Sequence, residues 1–279
     1  MHLPTSPWLG TPGWGRILSL SHFFSFILIL LWLWSQASIM ASSSNMNVTF
    51  CAPSSIAVTG RKTRFKVEAN QIEDLIRMRN RLPTEYAQEF RRKYGNILDL
   101  LDIPIAKEGI AALAQYWDNE MRCFVFPQFH FSLVVEEYAS FLGQPVHVDS
   151  AVYTYPNSLP SRKAVAQLLG RTVEGIPFKQ QGQMQTISLV FLVGYMEALA
   201  KKGEWKLFER VLALTVYGVV LFPFAHNAVD FAAISVFQAV EHHRINPITA
   251  ILADTYLSLT YCMEKGGGKL KCCLQLLTV

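Results

Sequence analysis

Charge is what this sequence is short of. Only 16% of its 279 residues are Asp, Glu, Lys or Arg, against roughly 25% in an average soluble domain. Much of the surface must therefore be apolar, uncharged or covered by a partner. Motifs that carry chemistry are missing too: there is no H-E-x-x-H, no matching carboxylate pair, no G-x-S-x-G and no pattern that joins Ser, His and Asp. Metal-assisted hydrolysis and nucleophilic catalysis have no foothold here. The five cysteines, Cys51, Cys123, Cys262, Cys272 and Cys273, are odd in number and form no C-x-x-C, which argues against a disulfide framework or zinc knuckle and suits a reducing compartment. No internal repeat is visible.

What is present is apolar. Hydrophobic residues make up 51% and aromatics 12%, enough for a sizeable core in one large domain or two small ones. Most of the hydrophobic spacing is helical. The segment 68–82 places Ile72, Leu75, Ile76 and Leu82 near one face, with Arg77, Arg79 and Arg81 largely off it, and Pro83 closes it. Thr84 is expected to cap a second helix that Gly95 ends, and the pattern continues from Leu98 to Trp117 with an interruption at Ile103-Pro104. Residues 122–131 read as one small hairpin, residues 134–142 as helix, and Ser161 as the cap of the next. Four apolar helices follow at about 186–201, 205–221, 229–242 and 248–263. The run 211–222 is too short for a bilayer and reads as a buried helix. The fold expected is mainly α: a single helical domain over residues 61–279 with at most a short β-hairpin.

Ahead of it stand two segments of another kind. Residues 17–60 hold no charged side chain, and residues 23–34 are apolar except for Ser25. That stretch is signal-peptide-like or anchor-like, with a sequon at Asn47. The preferred reading makes residues 1–39 an upstream extension from a gene model, with translation starting at Met40, and residues 40–60 a disordered Ser/Thr/Asn-rich linker. Localisation divides accordingly, into nucleus or cytoplasm from Met40 and membrane or secretory pathway from Met1.

Candidate chemistry is sparse. His226 and Asp230 stand four apart, and His242 and His243 follow Glu241, so a metal site on the last helices can be drawn, with helix-end polar residues as the favoured reading; an enzyme would need His226, Asp230, His242 and Asp254 gathered in one pocket. Gly266-Gly267-Gly268-Lys269 suggests a phosphate loop, but Leu270 stands where Ser or Thr should be, so a flexible turn is the expectation. Cys272 and Cys273 suit packing better than ligation. No catalytic, cofactor-binding or metal residue is assigned, and no cofactor is expected. Residues 61–94 carry ten Lys or Arg against five Asp or Glu. Arg77, Arg79, Arg81, Arg91, Arg92 and Lys93 are thus candidate nucleic-acid contacts; a solvated helix face is the competing reading.

An ordered series of segments adds a resemblance. FRRKYGNIL (90–98), ALAQYWD (112–118), CFVFP (123–127), EEY (136–138) with LGQP (142–145), VLALTVYGVVLFP (211–223), NPITAILAD (246–254) and GGGKLKCCLQLL (266–277) resemble a domain of unknown function abundant in legume genomes. The series looks like a relative of the plant mobile domain, which occurs in transposable elements and in host genes derived from them. The resemblance covers residues 68–277. It implies a helical domain without established enzymatic activity, linked to retroelements or genome defence, and nuclear; it assigns no functional residues.

Two departures stand out. Val134 occupies the position of a capping Thr, which costs the helix start about 1 kcal/mol. Similar proteins continue into a Trp-rich helix where this chain stops at Val279, so a truncated domain is expected, with residues 270–277 helical and Leu274, Leu276 and Leu277 partly exposed. The leading function is a non-enzymatic interaction module of transposon origin that meets nucleic acid or chromatin proteins. The alternative is a membrane-anchored or secreted helical protein, which depends on residues 17–34.

Overall fold

The buried run at 211–222 organises everything around it. In the computed structural model, which describes residues 63–145, 151–156 and 158–279, nine α-helices and short 3-10 and π turns make up about 53% of the described residues. The helices are α1 (Glu73–Arg79), α2 (Thr84–Tyr94), α3 (Lys107–Leu113), α4 (Val135–Leu142), α5 (Arg162–Leu168), α6 (Leu189–Lys202), α7 (Trp205–Val216), α8 (Phe231–His243) and α9 (Ile248–Glu264). Every residue of α7 from Val211 to Val216 is buried, and the π turn Tyr217–Leu221 carries the burial on. α7 packs against α1, α2 and α6, which bring Leu75, Met78, Phe90, Tyr94, Leu192 and Met196 onto it. A helix apolar all round belongs in such a centre.

Caps decide several boundaries. Ser161 Oγ accepts from the Ala164 amide at 3.2 Å, as the sequence predicts, and Ser188 Oγ does the same for Phe191 at 3.3 Å. Thr84 departs from expectation: it is the first helical residue, Pro83 is the N-cap, and no side chain caps α2. Proline's fixed φ prepares that start without a hydrogen bond. Val134 stands at the start of α4 with no side-chain cap bond. Between Leu98 and Trp117 the helical pattern is interrupted at Ile103-Pro104 as the sequence predicts, with a 3-10 turn (Asp99–Asp102) before the break and α3 and a second 3-10 turn (Ala114–Tyr116) after it. Pro104 lacks the amide needed to carry a helix through.

The expectation of at most one hairpin needs correction. That hairpin exists, as β3 (Cys123–Val125) against β4 (His130–Phe131), with β2 (Trp117–Asp118) added on its other edge. A second three-stranded antiparallel sheet joins β5 (Phe178–Gln181), β6 (Met184–Ser188) and β7 (Ala228–Asp230). A two-stranded parallel pair joins β1 (Arg64–Lys66) to β8 (Gly267–Lys269). β6 leads straight into α6 and β7 straight into α8, so the apolar patterns at 186–188 and 229–230 belong to strands rather than to first helical turns.

The C-terminal segment also differs from expectation. After β8 the chain forms no helix; it folds back in turns, and Leu270, Cys272, Cys273, Leu274, Leu276 and Leu277 are buried, the last four leucines at 4% exposure or less. The extension at 1–39 and the linker at 40–60 lie outside the described residues. No helix among the described residues is long and apolar enough to cross a membrane.

Candidate functional site

Four of the six basic candidates are already engaged. Arg77, on α1, meets Asp74 and Glu197 at 2.6 Å each. Arg79 meets Asp102 at 2.6 Å, and Arg91 meets Asp99 at 2.7 Å. Lys93 reaches the buried carboxylate of Glu241 at 2.8 Å. Arg81 and Arg92 are exposed and have no ion-pair partner among the described residues. The structure thus scatters the charge cluster into local pairs and leaves two free cations. Exposed pairs of this kind contribute about 0–1 kcal/mol each, but a paired guanidinium has less positive potential to offer a phosphate.

Glu241 is the hub of a buried polar junction between three helices. Its Oε1 accepts from Lys93 Nζ and from Arg210 Nε at 3.0 Å, and its Oε2 accepts from the Tyr94 hydroxyl at 2.8 Å. Burial pushes its pKa up, but the hydrogen bonds from Lys93 and Tyr94 and the charges of Lys93 and Arg210 outweigh it and hold the carboxyl below its ordinary range. Sequence reading noticed Glu241 only as a neighbour of His242, and it missed Arg210. A cation set directly against the apolar run 211–222 was the available signal.

Two members of this junction, Arg210 and Glu241, line a cleft of about 820 Å³. One wall is α8 from Ser235 to its end, another is α5, and the third is the Tyr- and Pro-rich loop around Tyr153–Pro160. The loop is tied down by Tyr153 Oη and Ser235 Oγ, 3.0 Å apart, and by a parallel bridge between Val152 and Asn246. Clefts of this size with a few convergent polar groups over apolar walls are the usual form of small-molecule sites.

The other sequence candidates are not brought together. His242 and His243 stand at the cleft rim in the last turn of α8. His226 precedes β7, and Asp230 caps α8 by accepting from the Ala232 amide at 2.7 Å. Asp254 lies on α9, is not among the residues lining the cleft, and has one carboxyl oxygen buried without a hydrogen-bond partner among the described residues. No group of three or more His, Cys, Asp or Glu among the described residues is positioned to hold a metal ion. The Gly-rich stretch is strand β8 rather than a flexible turn, and Lys269 pairs with Glu68 at 3.3 Å. Cys272 and Cys273 are buried free thiols, and burial pushes that of Cys273 up to about 12.

Comparison with known families places this architecture. A domain of unknown function, DUF7745, matches residues 75–279. The chain belongs to the DUF7745 family. The match takes in every helix from α2 onward, both sides of the cleft and the buried C-terminal segment. No curated protein and no solved structure matches the chain.

Proposed function

We propose that this DUF7745 protein is a non-enzymatic interaction module, related to the plant mobile domain and of transposon origin, which acts in the nucleus on retroelements or chromatin through a protein partner. The ordered motif series supports the relationship. The observation that carries the interaction role is on α9, where Leu257 and Tyr261, one turn apart, are 68% and 60% exposed. Adjacent large apolar side chains on the outside of a regular helix mark a contact surface. Direct phosphate contact has weaker support, because only Arg81 and Arg92 of the six candidates are free of acidic partners.

A salt titration separates the two kinds of partner. Each phosphate neutralised steepens the fall of log K with log salt by about 0.9. Two free arginines predict a slope no steeper than roughly −2 on duplex DNA, whereas all six candidates in use predict about −5. The expected result is weak DNA binding with the shallow slope, together with loss of chromatin co-localisation in Leu257→Glu/Tyr261→Glu. Tight DNA binding with the steep slope, abolished by charge reversal at Arg77, Arg79 and Arg81, would replace the protein partner with nucleic acid. Retention of chromatin co-localisation in the double variant would remove α9 from the contact.

A further inference from the structure

The cleft has a feature that the interaction reading does not use. Arg210 spends only its Nε–H on Glu241; its two Nη groups have no partner among the described residues, and the side chain is 36% exposed where it lines the cleft. Three of the roughly four acceptor sites of Glu241 are taken, by Lys93, Tyr94 and Arg210 itself. Two cations, Lys93 and Arg210, thus meet the one carboxylate of Glu241. A guanidinium whose outer edge is free presents two parallel N–H groups, which match the two oxygens of a carboxylate or phosphate.

The surroundings specify the rest of the ligand. Leu159, Leu168 and Ala239 supply apolar wall, and Tyr153 is held over it by Ser235. Gln238 adds a half-buried amide with no hydrogen-bond partner among the described residues. We propose that this cleft is a binding site for a small organic anion, with a carboxylate or phosphate head on Arg210 and an apolar body against Leu159, Leu168 and Ala239. The head needs acceptors only, since Arg210 offers donors only. The body adds the burial that a bare inorganic anion lacks.

Calorimetric titration of the full chain with phenyl phosphate and with benzoate tests the site, with inorganic phosphate and benzyl alcohol as the two halves of the ligand. Phenyl phosphate or benzoate should bind saturably with a Kd on the order of 0.1–1 mM, and each half at least about tenfold more weakly. Arg210→Lys keeps a cation for Glu241 but loses the fork, and should weaken binding about tenfold. Gln238→Glu leaves the Arg210–Glu241 pair intact and sets a like charge beside the anion, so it should weaken binding by a similar factor. Weakening by both variants, with cooperative melting retained, supports the site. Absence of saturable binding of both organic anions to the folded chain would overturn it. So would binding that Gln238→Glu leaves unchanged, or inorganic phosphate binding as tightly as phenyl phosphate.

Discussion

Glu209 and Asp254 are acids held where their charge is disfavoured. Glu209 is buried on α7 with Oε1 unpartnered; burial, then the nearby charge of Glu89, pushes its pKa from 4.5 up to about 7. Burial alone lifts Asp254 from 3.8 to about 8. A carboxyl raised in the folded state binds a proton on folding, so its contribution is full below the ordinary pKa and is lost as pH rises through the folded one. For Glu209 that window runs from about pH 4.5 to about pH 7. Glu209→Gln, which carries no charge to desolvate, should raise Tm at pH 8 by about 3–6 °C and much less at pH 5. Thermal melts at the two pH values check this; an equal gain at both would show that the carboxyl does not titrate in that window. Nothing in the sequence around Glu209 distinguishes it from a solvated helix acid. Its neighbours Glu89 and Glu241 stand 120 and 32 positions away, at 89 and 241 against 209. The same distance problem hid the fate of the arginines: the charges of Arg77 and Lys93 are plain in the sequence, but their partners Glu197 and Glu241 are not.

Elements were legible where local chemistry sets them. Ser161 as a cap, the hairpin at 123–131 and the buried course of 211–222 follow from cap chemistry, short alternating runs and hydrophobic continuity. β6 and β7 did not, because three- to five-residue runs that pass directly into helices carry both patterns at once, and β5, Phe-Lys-Gln-Gln, has a single large apolar residue to mark it. What marks β7 in the structure is Gly218. A Cβ there would stand 2.3 Å from Val229 Cγ1 and 2.7 Å from its Cγ2, so the π turn and the strand can approach this closely only over a glycine. Gly218→Ala should force them apart and lower stability by about 1–3 kcal/mol, read as a shift of the urea midpoint without a change in slope. An unchanged midpoint would mean that the turn relaxes freely. Gly267 plays a related part in β8, at φ +138 with Arg64 O lying 2.8 Å from where a Cβ would be. Within the glycine run, Gly267 is therefore the position that the close passage of β1 requires.

At the scale of the whole molecule, the C-terminal segment is a structural part of the core. Burying Leu270, Leu274, Leu276 and Leu277 is worth roughly 6–12 kcal/mol at about 1.5–3 kcal/mol each, comparable with the entire net stability of a domain, about 5–15 kcal/mol. Deleting residues 270–279 should therefore abolish cooperative thermal unfolding in calorimetry. A deleted chain with a sharp transition at the original Tm would show that these leucines are dispensable. The sequence announced this segment as apolar, but its turns and its burial depend on contacts with elements made much earlier. The parallel pairing of Arg64 with Gly267 spans 203 positions, from 64 to 267. At about 5–20 residues per second of synthesis, β1 leaves the peptidyl-transfer centre roughly 10–40 s before its mate is polymerised. The helices between them have time to assemble in order, but the strand that opens the unit stays without a neighbour throughout, and translation itself sets the earliest moment at which the fold can close.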